Sequence, residues 1–450
     1  MCWATGPAAN QKFMKVFIKT LGCEKNTVDS ENALALLEEI GCTETADPAD
    51  ADVLMVNTCG FIHDAKEQSI ETIFDLIREK KEGQKLIVSG CLSQRYAKEL
   101  AKEMPEVDAF LGVNDYMTLP KIVRDTEKTR IAANPAAKTY EELPRKFSGG
   151  VSASIKIAEG CNNICTYCAI PFIRGRYRSR KPEAILAEAR QLAKEGVQEL
   201  VVIAQDVTGY GRDLKTDYLL PQLLHDLCKI DGFRWIRLMY CYEDEITPEL
   251  IETIKTEPKI CHYLDIPIQH SVDRVLKAMN RKSTEASIQA TITELRKQIP
   301  DIVIRTTLIT GFPGETKEEF EQLMDFVDEM KFDRLGVFPY SKEEGTAAAR
   351  MDHQVRSDVK LRRADKIMAL QQKISLENNQ KYVGQTMDVL VEEVFEDGSY
   401  SGRTKYDAPE IDDGVLFTGP AGLTPGTFVR VKITDAFDYD LSGEYYEPAK

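Results

Sequence analysis

No apolar run in the 450 residues approaches the roughly 20 that a membrane-spanning helix needs, so a membrane protein is not expected. The stretch Met1 to Phe13 lacks a basic segment followed by an apolar one. It therefore reads as a disordered extension rather than a signal peptide, and a strand-like run begins at Met14, a second candidate translation start. The expected location is the cytoplasm. Positive charge is also in deficit. There are 58 Lys and Arg against 73 Asp and Glu, a net charge of −15. A general nucleic-acid binder, which needs clustered cations for phosphates, is disfavoured, and a basic partner suits the chain better. Finally, the eleven cysteines cannot form a complete set of pairs. In a reducing cytosol, metal binding or redox chemistry is their natural use.

The chain is too long for one core, since single cores stop growing near roughly 250 to 300 residues. From Lys15 to about Ile122, short apolar runs (KVFIKTLG, DVLMVNTCG, KLIVSGC) alternate with helical patterns over 30–40, 66–80 and 94–104. This predicts an N-terminal α/β domain with a parallel sheet. Residues from about Arg124 to Gly150, with Pro135, Pro144 and Gly149-Gly150, read as a linker. Between Val151 and Tyr340, six apolar runs (SIKIAEG, ELVVIAQ, RWIRLMY, YLDIPIQ, DIVIRTTLITG, RLGVFPY) alternate with helical segments. Six repeats predict a partial (β/α)6 barrel, where a closed one would want eight. A long charged helix is expected over 358–381. The Gly- and Asp-broken β-rich runs beyond Gly384 predict a small antiparallel β-barrel. The expected boundaries are 14–127, 147–378 and 381–449.

Cys161, Cys165 and Cys168 form C-x3-C-x2-C directly after a predicted strand. Three thiolates on an iron-sulfur cubane leave one iron open to a ligand, whereas an electron-transfer cluster would want a fourth cysteine, absent from this loop. A structural zinc site is the alternative, and it too prefers four ligands. Cys23, Cys59 and Cys91 each follow a predicted strand. In a parallel sheet those carboxyl ends share one edge, where open α/β sheets assemble ligand sites. A second three-cysteine cluster is inferred, against the alternative of three buried structural thiols. Cys2, Cys42, Cys228, Cys241 and Cys261 share no such placement and read as structural.

The Gly311-Phe312-Pro313-Gly314-Glu315 turn follows the longest apolar run at the barrel's expected active face, where a cofactor could lie, although the glycines could simply make the turn. Gly209-Tyr210-Gly211 is a weaker case of the same kind. His270 is a candidate base or a hydrogen-bonded structural histidine. Arg174, Arg176, Arg178 and Arg180 could balance cluster or carboxylate charge, or form a solvated surface.

The segment EGCNNICTYCAIPFIRGRYRSR resembles the cluster loop of the radical S-adenosylmethionine (SAM) methylthiotransferases. LGCEKNTVDSE, VNTCGFI and VSGCL resemble the N-terminal cluster-binding domain of that family, so the likeness extends over nearly the whole chain. Glu24 stands where the family often has proline. Cys23-Glu24-Lys25-Asn26 followed by Val28-Asp29-Ser30-Glu31, NTCGFIHDAKEQSI and GRTKYDAPEIDDGV resemble the RimO-type branch, which modifies an aspartate of a ribosomal protein, more than the MiaB-type branch, which modifies a tRNA adenosine.

The resemblance implies a central radical SAM domain and a TRAM-like barrel. It implies two 4Fe-4S clusters, on Cys161, Cys165 and Cys168 and on Cys23, Cys59 and Cys91. SAM would be cosubstrate, radical source and methyl donor, with Tyr167, Gly311, Pro313, Gly314 and Glu315 as its candidate contacts. The implied reaction is methylthiolation of the aspartate β-carbon in the twelfth small-subunit ribosomal protein, within the ribosome and with an electron donor. The tail is consistent with this branch: from Val383 to Lys450 there are 14 acidic against 5 basic residues, net −9. Such a domain would repel RNA and could attract a basic ribosomal protein through complementary charge, although an acidic domain could also merely keep the protein soluble.

Overall fold

Residues 13–125, 131–133 and 142–449 are described by the structure, a computed structural model; the extension expected before Met14 lies outside them, apart from Phe13. The chain divides into two units, one comprising the residues up to Ser148 together with Ile170–Gly175, the other 149–169 and 176 onward.

In the first unit the apolar runs become a parallel sheet: β1 (Lys15–Thr20), β2 (Thr43–Glu44), β3 (Val53–Thr58), β4 (Lys85–Gly90), β5 (Ala109–Leu111) and β6 (Ile131–Ala132). The order is β2-β1-β3-β4-β5-β6, with every pairing parallel. All six residues of β3 are buried, as a central strand covered on both faces requires. Alternation sends Val53 and Met55 into a core with Leu34 and Leu37 from helix Glu24–Glu38, while Leu54 and Val56 meet Ile73, Leu76 and Leu100 on the other side.

In the second unit, β7 (Ser152–Lys156) is followed by the short antiparallel pair β8 (Ala158–Glu159) and β9 (Arg178–Ser179) that brackets the cysteine loop. β10 (Glu199–Ile203), β11 (Trp235–Leu238), β12 (Ile260–Asp265), β13 (Val303–Thr310) and β14 (Arg334–Pro339) complete a six-stranded parallel sheet in the order β14-β13-β12-β11-β10-β7. This is the expected six-strand partial barrel. Helix Ser357–Asn379 leads to a closed barrel of β15 (Thr386–Val394), β16 (Ser399–Arg403), β17 (Val415–Thr418), β18 (Phe428–Ala436) and β19 (Leu441–Pro448). Its pairings are antiparallel except β17 with β19, which run parallel.

The tail barrel meets the amino-terminal ends of the sheet strands. Arg403 reaches Ser152 and Glu199, Asp388 pairs with Arg234, and Asp407 pairs with Arg334. The cysteine loop follows the carboxyl end of β7, so the acidic barrel and the loop occupy opposite edges of that sheet.

Two sequence expectations change. The first helix starts at Glu24 rather than Ser30. The segment read as a linker contributes β6, pairing Ile131 with Phe110, and ties back through Arg145 and Ser148 to Glu31 at 2.7 and 2.6 Å.

Candidate metal centres

Within the first unit, Cys23, Cys59 and Cys91 stand at the carboxyl ends of β1, β3 and β4. Each has a glycine beside it, and these glycines let three turns crowd together. A Cβ on Gly90 would lie 2.7 Å from Thr58 N, and one on Gly60 would lie 2.7 Å from Leu92 N. Gly90 also has φ +94°, a conformation disfavoured for L side chains. Asn26 lies beside two of the thiols. Its Oδ1 lies 3.9 Å from Cys23 Sγ and 4.0 Å from Cys91 Sγ, while its Nδ2 donates to Thr58 O at 3.1 Å. Asn57 fastens the arrangement by donating to Asn26 O at 2.8 Å and Ser30 Oγ at 3.0 Å. The three thiols are close enough to feel one another's charge. Burial pushes the Cys91 thiol up to about 11, against the opposing pull of Arg174.

Arg174 belongs to this unit through the Ile170–Gly175 segment. Only 1% exposed, it pairs with Asp29 at 3.0 Å and donates to Asn26 Oδ1 at 3.1 Å and Cys91 Sγ at 3.4 Å. Of the four arginines, only Arg176 is on the surface; Arg178 and Arg180 are also buried. The solvated-surface reading therefore fails for three of them. Arg180 is held by Glu188 at 2.6 Å.

In the second unit, the loop carrying Cys161, Cys165 and Cys168 is pinned by hydrogen bonds to distant elements. Thr166 N donates to Met279 O at 3.0 Å, Ala348 N to Thr166 O at 2.8 Å, and Asn280 Nδ2 to Ile164 O at 2.9 Å. Cys161 Sγ accepts from Asn163 N–H at 3.3 Å, and burial pushes its thiol up to about 11. Asn163 in turn donates to Asp206 Oδ2 at 3.0 Å, and Asp206 caps the following turn through Thr208 and Gly209. Burial raises the Tyr167 hydroxyl well above its usual range, and neighbouring Cys165 adds to that rise. Arg281 faces this group. Its guanidinium grips buried Glu243 at 2.7 and 2.9 Å and lies 4.6 Å from the Tyr242 ring centre. Sequence reasoning gave no site role to Asn26, Asp29, Arg281 or Glu243; buried polar and charged residues without apolar periodicity gave no pattern to follow.

At the end of β13, Glu315 folds back to accept from Gly311 N at 2.6 Å and Phe312 N at 3.1 Å, and Arg363 closes it at 2.6 Å. Glu315 thus fastens the turn that contains Pro313 and Gly314. His270 is fully buried. Its Nδ1 accepts from Val272 N–H at 3.1 Å and its Nε2 lies 3.8 Å from Glu315. Burial holds its pKa down at about 3, which leaves it a neutral packed histidine. Gly209 and Gly211 belong to the turn capped by Asp206 and Ser179. Cys42, Cys228, Cys241 and Cys261 are buried, outside both triads.

Both triads suit iron-sulfur clusters. Cys91, Cys161 and Cys165 are buried, Cys59 and Cys168 are partly buried and Cys23 is exposed; thiols surrender their protons when a metal replaces them, and sulfur-rich donor sets favour such clusters. Among the described residues no three His, Cys, Asp or Glu converge on a single-ion site. Ligands to separate irons of a cluster stand farther apart than ligands to one ion.

Comparison with known proteins follows this division. Residues 15–112 match the family described as Uncharacterized protein family UPF0004, residues 155–327 the Radical SAM superfamily, and residues 383–445 the TRAM domain. Among solved structures, the radical SAM methyltransferase TsrM of Kitasatospora setae, with cobalamin and a 4Fe-4S cluster bound, aligns with TM-score 0.56 at 14% identity, over 89% of this chain and 82% of that one. The cobalamin-dependent SAM radical enzyme OxsB, with aqua-cobalamin and SAM bound, aligns with TM-score 0.50 at 12% identity, over 81% and 56%. At such identities these two establish the fold alone.

Fold, cysteine loop and family matches define a radical SAM enzyme with a TRAM domain. The ribosomal protein uS12 methylthiotransferase RimO of Clostridioides difficile (strain 630) is 49% identical over 96% of this chain and 98% of its own length. That of Thermoanaerobacter sp. (strain X514) is 50% identical over 96% and 99%. The chain belongs to the RimO family of radical SAM methylthiotransferases.

Proposed function

We propose that this enzyme methylthiolates the β-carbon of an aspartate in ribosomal protein uS12, using two 4Fe-4S clusters and SAM. The observation that carries the reading is the grouping of Cys23, Cys59 and Cys91 within the first unit, with Cys23 and Cys91 both against Asn26 and Cys91 within electrostatic reach of Cys23 and Cys59. The first triad would hold the cluster from which sulfur is delivered, and the second the cluster that binds SAM at its open iron. With an electron donor, that second cluster supplies the one-electron chemistry needed to attack an unactivated carbon.

The chain's own task is to place and shield these groups. Thr166, bonded to Met279 and Ala348, fixes the cysteine loop. Tyr167 stays protonated there, able to donate a hydrogen bond to a polar cosubstrate. Gly311, Pro313, Gly314 and Glu315 would border the SAM site as a turn held rigid from behind by Arg363. The working divisions are 14–127 for the first cluster, 147–378 for the radical SAM core and 381–449 for the acidic barrel. That barrel suits a basic ribosomal protein better than tRNA. Its place at the far edge of the sheet favours docking on the ribosome away from the reacting atoms. A ribosomal substrate supports a cytoplasmic location. No helix among the described residues is long and apolar enough to cross a membrane.

The test is anaerobic reconstitution, followed by mass spectrometry of ribosomes and tRNA incubated with SAM and a reductant. A methylthio mass gain on a uS12 aspartate, lost in Cys59→Ala and in Cys165→Ala, is expected. Gain on tRNA alone would overturn the substrate.

A further inference from the structure

The guanidinium of Arg174 lies against the Cys91 sulfur although the residue comes from a distant part of the chain, 83 positions from Cys91. An arginine needed only to fasten Ile170–Gly175 would be satisfied by Asp29. Here one Nη meets Asp29 at 3.0 Å, while the other is directed to Asn26 Oδ1 at 3.1 Å and Cys91 Sγ at 3.4 Å. Asn26 Oδ1 itself faces the sulfurs of Cys23 and Cys91, so the donor and its partner both border the triad. At 1% exposure, water screens this charge little.

We infer that Arg174 is a positioning residue that raises the reduction potential of the cluster held by Cys23, Cys59 and Cys91. The inference rests on the proposed assignment of that triad. A thiolate-bound cluster becomes more negative when it takes up an electron. A fixed cation and an N–H to a ligand sulfur stabilise the reduced state more than the oxidised one. Asp29 acts with the opposite sign, since its carboxylate offsets part of the cation. Arg174 follows Cys168 by six residues in the chain, so the loop that carries one triad also delivers the charge that tunes the other.

The experiment uses the full chain with Cys161, Cys165 and Cys168 all changed to Ala, so that only the first-unit cluster can assemble. Iron content and an EPR-monitored redox titration are measured anaerobically for this parent and for Arg174→Gln, Arg174→Lys and Asp29→Asn in it. At the parent's midpoint potential, Arg174→Gln should lower the reduced-to-oxidised ratio about tenfold, equivalent to ~59 mV. Arg174→Lys should recover most of that change, and Asp29→Asn should shift the ratio the other way. A mere fastening role predicts no opposed signs. Unchanged potential in Arg174→Gln, or equal shifts in the Lys and Gln variants, would overturn the inference. If Arg174→Gln binds no iron, Arg174→Lys decides: iron with a parent-like potential supports the charge role, and no iron rejects it. A parent that binds no iron refutes the triad assignment itself.

Discussion

Arg403 on β16 places Nη2 2.5 Å from Oε2 of Glu199 on β10, joining two strands 204 residues apart in sequence. Glu199 is fully buried and also accepts from Arg237 Nε at 2.9 Å and Ser152 Oγ at 2.7 Å. Burial alone would push its carboxyl up, but Arg237 and Arg403 outweigh that and hold it down at about 2. The tail barrel is therefore fastened to the sheet by a buried charge group rather than hung on a flexible tether. Removing one member of such a group costs about 3–5 kcal/mol, because the remaining charge stays buried without its partner. Arg403→Met should loosen the barrel, read as a lower unfolding midpoint in urea and earlier proteolysis between 380 and 390. A change under about 1 kcal/mol would sink this account. Glu199 has a folded pKa below its usual 4.5, so its contribution is present above pH 4.5 and is lost as pH falls towards 2.

The three turns that bear Cys23, Cys59 and Cys91 depend on small residues. Gly90→Ala would drive a methyl to 2.5 Å from Thr58 O and 2.7 Å from Thr58 N, at a backbone angle that favours glycine. The expected cost is about 1–3 kcal/mol, as for other overpacked sites. Iron at the cluster proposed for this triad should be lost while iron at the one proposed for Cys161, Cys165 and Cys168 remains. Iron analysis of Gly90→Ala, with and without the other triad, checks this; full iron retention would show that the turns can yield.

Much of this architecture could be read before any coordinates. The apolar runs ending in Cys59 and Cys91 are the central strands, and a parallel sheet brings their carboxyl ends to one edge. The late placement of the first helix has a physical cause. Lys25, Asn26, Asp29, Ser30, Glu31 and Asn32 are all buried, so the helix's opening turns lack the apolar period that reveals a helix. The same polar burial hid Asn26 and Asp29 as parts of the site. Arg174 resembled its exposed neighbour Arg176 in sequence; only the fold separates them. A two-residue strand such as β6 is too short to carry a period, which explains why its segment read as linker.

Because the triads stand on different sheets, their iron contents should be independent. Cys91→Ala and Cys165→Ala should each lose roughly half of the reconstituted iron, and the double variant nearly all of it, as sites without shared ligands require. Reductive cleavage of SAM should vanish in Cys165→Ala yet persist in Cys91→Ala, measured as deoxyadenosine release without ribosomes. Equal loss of cleavage in both would mean that the two sites do not act separately.

His270 provides a stability measurement tied to the turn beside the radical SAM core. Burial lowers its pKa from the ordinary 6.5 to about 3; Glu319 pulls it upward, while Arg274 and Arg363 add to the lowering. In the unfolded chain the imidazole takes up a proton below pH 6.5, whereas in the folded protein it stays neutral. Its contribution is thus complete above pH 6.5 and declines as pH falls towards 3, by about 1.4 kcal/mol per pH unit. Glu315, raised by burial, titrates with the opposite sign, so the parent's slope alone would mislead. The difference from His270→Asn isolates the histidine. Between pH 7 and pH 5 the parent apoprotein should lose about 2 kcal/mol more stability than the variant in urea unfolding. Parallel pH dependences would show that the ring is hydrated or protonated in the folded chain.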